Sequence, residues 1–224
     1  MQSVFVMPGI RNLWSAYRRD IRDARERISS GSCLVPTSCG PIEYAVAGEG
    51  PAAILVVHGA GGGFDQGLDA AAPLVHSGFR VIVPSRFGYL RTPLPLDASP
   101  TAQADAYAAL LDVLNIHRVA VVGVSAGGPS AMQFALRHAS RTTALVLLVP
   151  LAYPAGVEPR RSGAMPKRMS TATKWLFDAA LSSDLLFWAA LRFAPRLMTQ
   201  AVLGTLPAVL DSAGPEEHAR VKTV

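Results

Sequence analysis

Four apolar runs constrain this chain more than any other feature: "AAILVV" at 52–57, "FRVIVP" at 79–84, "RVAVVG" at 118–123 and "TALVLLV" at 143–149. None alternates apolar with polar, so each reads as a strand buried on both faces. Between them lie segments of helical composition: Leu68 to Ser77, "SPTAQADAYAALLDVLNI" at 99–116, and Ala126 to His138. In the middle one Ser99 caps, Pro100 takes the first position, and Tyr107, Leu110, Leu111 and Leu114 form one stripe. Strand, helix, strand, helix requires right-handed crossovers, so the expected fold class is α/β, a mostly parallel sheet with helices on both faces. With 224 residues, 50% hydrophobic and 17% charged, the chain can fill such a core, and a disordered or fibrous reading fails.

The flanks differ. Residues 11–28, "RNLWSAYRRDIRDARERI", put Trp14, Tyr17, Ile21, Ala24 and Ile28 on one helical stripe with Arg11, Arg18, Arg22 and Arg25 off it. This basic amphipathic helix is expected to dock on its own domain, with a membrane-surface anchor as the rival. "SCLVPT" and "PIEYAVAG" around Cys39-Gly40-Pro41 read as a hairpin at a sheet edge. Beyond Pro150 a stretch rich in Pro, Gly and Arg leads to apolar helices broken at Ser182-Ser183 and Pro195. The expected organisation is an N-terminal helix at 1–30, an α/β core at 31–150, and a linker with a helical cap at 151–224.

Composition excludes several functions. The net charge of +5 is not interleaved with aromatic residues and no nucleic-acid-binding motif occurs, so no nucleic-acid partner is expected. Cys33 and Cys39 lack metal-ligand spacing and read as two ordinary buried or half-buried thiols rather than a bridge. No run of about 18 apolar residues spans a membrane, and the N-terminus lacks the regions of a secretory signal, which favours a cytoplasmic or membrane-surface location. No cofactor and no metal are expected.

The chemistry concentrates at "GVSAG", Gly123 to Gly127. A serine hydroxyl is a poor nucleophile unless it is fixed in the open, given a base, and faced by groups that stabilise the oxyanion it creates. A tight strand-to-helix turn meets the first need: it strains the central residue, Ser125, and demands small neighbours at Gly123 and Gly127. Upstream, "ILVVHGAGGGFDQG" ends a strand in His58-Gly59 and a run of glycines whose backbone N–H groups can turn towards negative charge. Phosphate cradling is the rival reading of such a loop. It lacks both the dinucleotide glycine spacing and the following Lys-Ser/Thr.

Taken together, "HGAGGG" after the third strand, "VPSRFGYLRTP" after the fourth and "GVSAGG" after the fifth make residues 41–153 resemble the α/β-hydrolase superfamily. The resemblance implies that Ser125 is the nucleophile, that the N–H groups of Ala126 and of Ala60 or Gly61 form the oxyanion hole, and that His58 shapes the loop. It also implies a cap after the sixth strand, where "TKWLFDAALSSDLLFWAALRF" lies, with Trp175, Phe177, Phe187, Trp188 and Phe193 lining it or simply packing. Serine at 125, in place of aspartate, argues against epoxide and haloalkane chemistry.

A base is harder to find. His138 lies thirteen residues down the helix, roughly 20 Å away, while His117 and His76 belong to the far rim of the sheet. His218, in "GPEEHARV", is a solvated position more readily than a catalytic one. In the resembling superfamily the acid follows a seventh strand and the histidine an eighth, and both fall beyond Val224. The expectation is therefore an incomplete sheet: a fragment, a split protein with a companion segment, or a defective product, with "TALVLLV" as an exposed apolar edge. The function expected is a serine hydrolase acting on a small or medium apolar ester through an acyl-enzyme. The alternative is a non-catalytic binding module or inactive remnant.

Overall fold

In a computed structural model of the chain, the four apolar runs become neighbouring strands of one sheet. The structure describes residues 10–151, 182–195, 197–198, 212 and 214. The expected linker, the first cap helix with Trp175 and Phe177, and His218 lie outside the described residues. In chain order the elements are α1 (Ile10–Ser30), β1 (Cys33–Thr37), β2 (Gly40–Ala47), β3 (Ala53–Val57), α2 (Phe64–His76), β4 (Arg80–Pro84), α3 (Pro100–Val113), β5 (Val119–Val124), α4 (Gly128–Arg137), β6 (Thr142–Leu148) and α5 (Asp184–Phe193). None of the described helices is long and apolar enough to cross a membrane.

The six strands run in the order β1-β2-β4-β3-β5-β6. Parallel pairing joins β3 to β4, β3 to β5 and β5 to β6, and the β1–β2 hairpin adds to β4 antiparallel. The mostly parallel sheet matches the fold class read from the sequence. The apolar runs are continuous because both faces of the central strands are covered. Leu55, Val57 and Ile82 pack with Tyr107, Leu110 and Phe134 of α3 and α4. Their neighbours Ile54, Val56, Val81 and Val83 pack with Phe64 and Ala71 of α2 on the opposite face. Each large side chain so enclosed stabilises the sheet by roughly 1.5–3 kcal/mol.

Register decides where loops gather. Leu55 pairs with Ile82 and Val57 with Gly123, so β3, β4 and β5 end level with one another. The segments that follow them, 58–63, 85–92 and 125–127, therefore share one rim of the sheet.

Several boundaries differ from expectation for local reasons. Helix α2 starts at Phe64 rather than Leu68, because Asp65 accepts the Gly63 N–H (2.9 Å) and Ser85 Oγ accepts the Phe64 N–H (3.2 Å), satisfying donors of the first turn. A single 3₁₀ turn at Ser125–Gly127 precedes α4, which was expected to begin at Ala126. Helix α3 has the expected cap, with Ser99 Oγ accepting the Ala102 N–H at 3.2 Å and Pro100 in the first turn. β6 is not buried on both faces as its apolar run alone suggests but is the exposed apolar edge expected of an incomplete sheet: most of its residues are exposed, Val146 to 45%, since among the described residues it pairs with β5 alone. Cys33 and Cys39 are free but both exposed, not half-buried, because β1 is the opposite edge strand and Cys39 sits in the hairpin turn.

The chain falls into two compact units, residues 25–157 and residues 1–24 with 158–224. Within the second, Trp188 of α5 donates its indole N–H to Asp20 (2.8 Å) and meets Tyr17 edge-on, with ring centroids 5.5 Å apart. Ser183 caps α5 by accepting the Leu186 N–H.

Candidate active site

Ser125 terminates β5 as an exposed residue at φ +47°, a left-handed conformation that is rare outside glycine. It leads into α4, whose N-terminal end carries the positive pole of the helix dipole. The Ser125 carbonyl accepts the Leu151 N–H (2.8 Å), fixing the bend from the segment that follows β6. Small neighbours are obligatory here. A Cβ on Gly123 would lie 2.6 Å from the Ala131 Cβ, and one on Gly127 would lie 2.6 Å from the His58 carbonyl oxygen and press on that of Val57. The bend is thus wedged between its own helix and the end of β3.

The glycine run lies against it. A Cβ on Gly59 would stand 3.3 Å from the Ser125 Cβ and 3.5 Å from the Val124 carbonyl oxygen. Ala60 and Gly61 follow as exposed residues, with Gly61 at φ +89°. The Gln66 side-chain amide donates to the Ala60 carbonyl (3.1 Å), turning that oxygen back on the loop. Ala126 directly follows Ser125 in the turn. The structure therefore brings Ser125, Gly59, Gly123 and Gly127 together, with Ala60 and Gly61 on the adjoining loop and Ala126 beside the serine.

His58 is fully buried and engaged at both ring nitrogens. Its Nε2 lies 2.9 Å from the Arg86 backbone N–H, which can only donate, so Nδ1 carries the proton and donates to the Gly59 carbonyl at 2.8 Å. Burial pushes its pKa down to about 4, the nearby Arg86 charge adds to this, and the bond to Gly59 opposes it. At neutral pH the ring is uncharged and holds the loops after β3 and β4 together. Tyr89 closes over it edge-on at 4.9 Å.

The other described histidines are bonded elsewhere or lie far from Ser125. His138 Nε2 meets Asp105 at 3.0 Å, His76 Nδ1 donates to the Ala72 carbonyl of its own helix, and His117 precedes β5 at the rim opposite Ser125. Among the described residues no group of three or more His, Cys, Asp or Glu is placed to hold a metal ion.

Glu43 is a further buried charge beside these loops, not among the residues expected at the site. This β2 carboxylate is fully buried yet accepts four hydrogen bonds: from Ser32 Oγ (2.7 Å), Ser85 Oγ (3.0 Å), the Arg91 N–H (3.0 Å) and Arg91 Nε (2.7 Å). Burial alone would raise its pKa, but the bonds from Arg91, Ser32 and Ser85 outweigh it and hold the carboxyl below its ordinary value. The one signal in the sequence was a charged residue in the middle of the hairpin strand "PIEYAVAG".

Comparison with known proteins agrees with this architecture. A family model described as the alpha/beta hydrolase fold matches residues 52–210. The chain is 39% identical over 108 residues to an uncharacterized hydrolase, YcgS, of Bacillus subtilis (strain 168), a match covering 48% of this chain and 37% of that protein. It is 36% identical over 115 residues to a 2-hydroxy-6-oxononadienedioate/2-hydroxy-6-oxononatrienedioate hydrolase of Paraburkholderia xenovorans (strain LB400), covering 48% and 39%. Among solved structures, an alpha/beta hydrolase fold protein from Nakamurella multipartita superimposes with a TM-score of 0.52 at 36% identity, over 66% of this chain and 52% of that one. The chain spans about two fifths of the length of the curated relatives it matches.

Proposed function

The chain belongs to the α/β-hydrolase fold family, and on that premise we propose that Ser125 is the nucleophile of a serine hydrolase acting on a small or medium apolar ester. The observation that carries the reading is the exposed, left-handed Ser125 at a helix N-terminus with Gly59 packed against it. In this reading Oγ attacks the carbonyl carbon and loses its proton to a histidine. The negative oxygen is held by the N–H groups of Ala126 and of Ala60 or Gly61, the alcohol leaves, and water releases the acyl group. The base is none of His58, His76, His117 or His138: His58 is engaged at both ring nitrogens, His76 and His138 bond within or beside their own helices, and His117 lies at the opposite rim. The Paraburkholderia relative is named for a substrate with a 6-oxo group. A ketone of that kind presents the same electrophilic carbon as an ester.

Turnover of a panel of short aryl and alkyl esters, with Ser125→Ala beside the parent chain, tests the reading. The expected result is ester cleavage that falls at least about a thousandfold in the variant. A second reading, a hydrolase-like binding module without chemistry, is favoured by the placement of the four described histidines, three of them bonded elsewhere and His117 at the opposite rim. Binding of an apolar ester without cleavage, unchanged by Ser125→Ala, would support it.

A further inference from the structure

The buried Glu43 serves no step of the proposed reaction, yet its bonds lead to the glycine loop beside Ser125 and to the loop after β4 on the same rim of the sheet. Its carboxylate accepts from Ser85 Oγ, and that same Oγ accepts the N–H of Phe64, the residue that closes the glycine run and opens α2. Because a hydroxyl has one proton, donation to Glu43 leaves the Ser85 lone pairs facing Phe64; the carboxylate dictates the direction of the second bond. A second route runs through the loop after β4. Arg91 is clamped to both carboxylate oxygens, the Glu43 N–H donates to Thr92 Oγ1 (2.9 Å), and the Thr92 N–H returns to the Tyr89 carbonyl (3.0 Å). Tyr89 and Arg86 of that loop are the residues that hold His58.

An apolar residue of similar volume could fill the same space without desolvating a charge, so stability by itself does not call for a carboxylate there. We propose that Glu43 is a positioning residue for the glycine loop: through Ser85 it anchors the Phe64 N–H, and through Arg91 and Thr92 it sets the loop that holds His58, thereby fixing residues 59–63 against Ser125. Its kinetic consequence rests on the hydrolase reading, whereas the anchoring itself does not.

The test uses the full chain with Ser85→Ala, Ser85→Thr and Glu43→Gln, reading amide hydrogen exchange, the thermal midpoint and the rate of fluorophosphonate labelling. The Phe64 amide exchanges at least tenfold faster in Ser85→Ala while the Leu55 and Val56 amides of β3 keep their protection, and Ser85→Thr, which retains the hydroxyl, restores it. Unchanged exchange at Phe64 in Ser85→Ala overturns the proposal even if Glu43→Gln fails to fold. Where the parent chain is labelled, Ser85→Ala labels at least tenfold more slowly at a temperature well below its own thermal midpoint, and Ser85→Thr labels at the parent's rate; equal labelling rates of Ser85→Ala and the parent overturn the proposal. A parent chain that takes no label instead overturns the nucleophile reading, and the exchange result then decides the anchoring alone.

Discussion

The backbone of Gly127 sits so close to that of His58 that a Cβ on the glycine would stand 2.6 Å from the histidine carbonyl oxygen. Two backbones, one ending β3 and one opening α4, thus meet without room for a methyl group. Gly127→Ala is expected to destabilise the fold by at least ~2 kcal/mol, since neither backbone can yield as a flexible side chain would. Gly61→Ala meets nothing within 4 Å and suffers only its positive φ, a cost of roughly 1–2 kcal/mol. Urea denaturation of both variants checks the order; a Gly61 variant less stable than the Gly127 variant would contradict it.

His58 makes stability depend on pH. Its pKa falls from 6.5 in the unfolded chain to about 4 in the fold, so the unfolded state binds the proton first as pH drops. The stabilisation is complete above pH 6.5 and is lost progressively down to pH 4, by about 3 kcal/mol in all. Replacing His58 with glutamine removes this slope. The stability gap between the parent chain and His58→Gln, measured by denaturant titration at pH 7 and pH 4.5, should narrow at the lower pH. A constant gap would show that His58 does not carry the dependence.

The edge strand β6 is the weak point for solubility. Leu145, Val146 and Leu148 are exposed to 38%, 45% and 45%, on a strand whose outer backbone groups can template another chain. Val146→Lys is expected to lower light scattering during concentration with little change in thermal midpoint. Scattering identical to that of the parent would exclude this edge as the route of association.

Much of this was legible because the decisive signals are local. The apolar runs, the Ser99 cap and the Gly123–Gly127 spacing each act within a few residues, and they located β3 to β6, α3 and the bend at Ser125. The start of α2 was not legible, because its first donor is satisfied by Ser85, twenty-one residues away. Glu43 was invisible for the same reason: its partner Arg91 is 48 residues distant, and nothing in "PIEYAVAG" reveals which face of the strand is closed. The indole bond from Trp188 to Asp20 spans 168 residues and could be found only in three dimensions. Exposure of β6 was legible only from the strands expected around it, because its seven residues by themselves look like a strand buried on both faces.

If Ser125 is the nucleophile proposed above, its hydroxyl is activated where other serines are not. Peptide mapping of the chain after treatment with a fluorophosphonate tests it most directly. The expected result is one adduct, on Ser125, which is lost in Ser125→Ala while other serines stay unmodified. Modification scattered over several serines and unaltered by that substitution would contradict it.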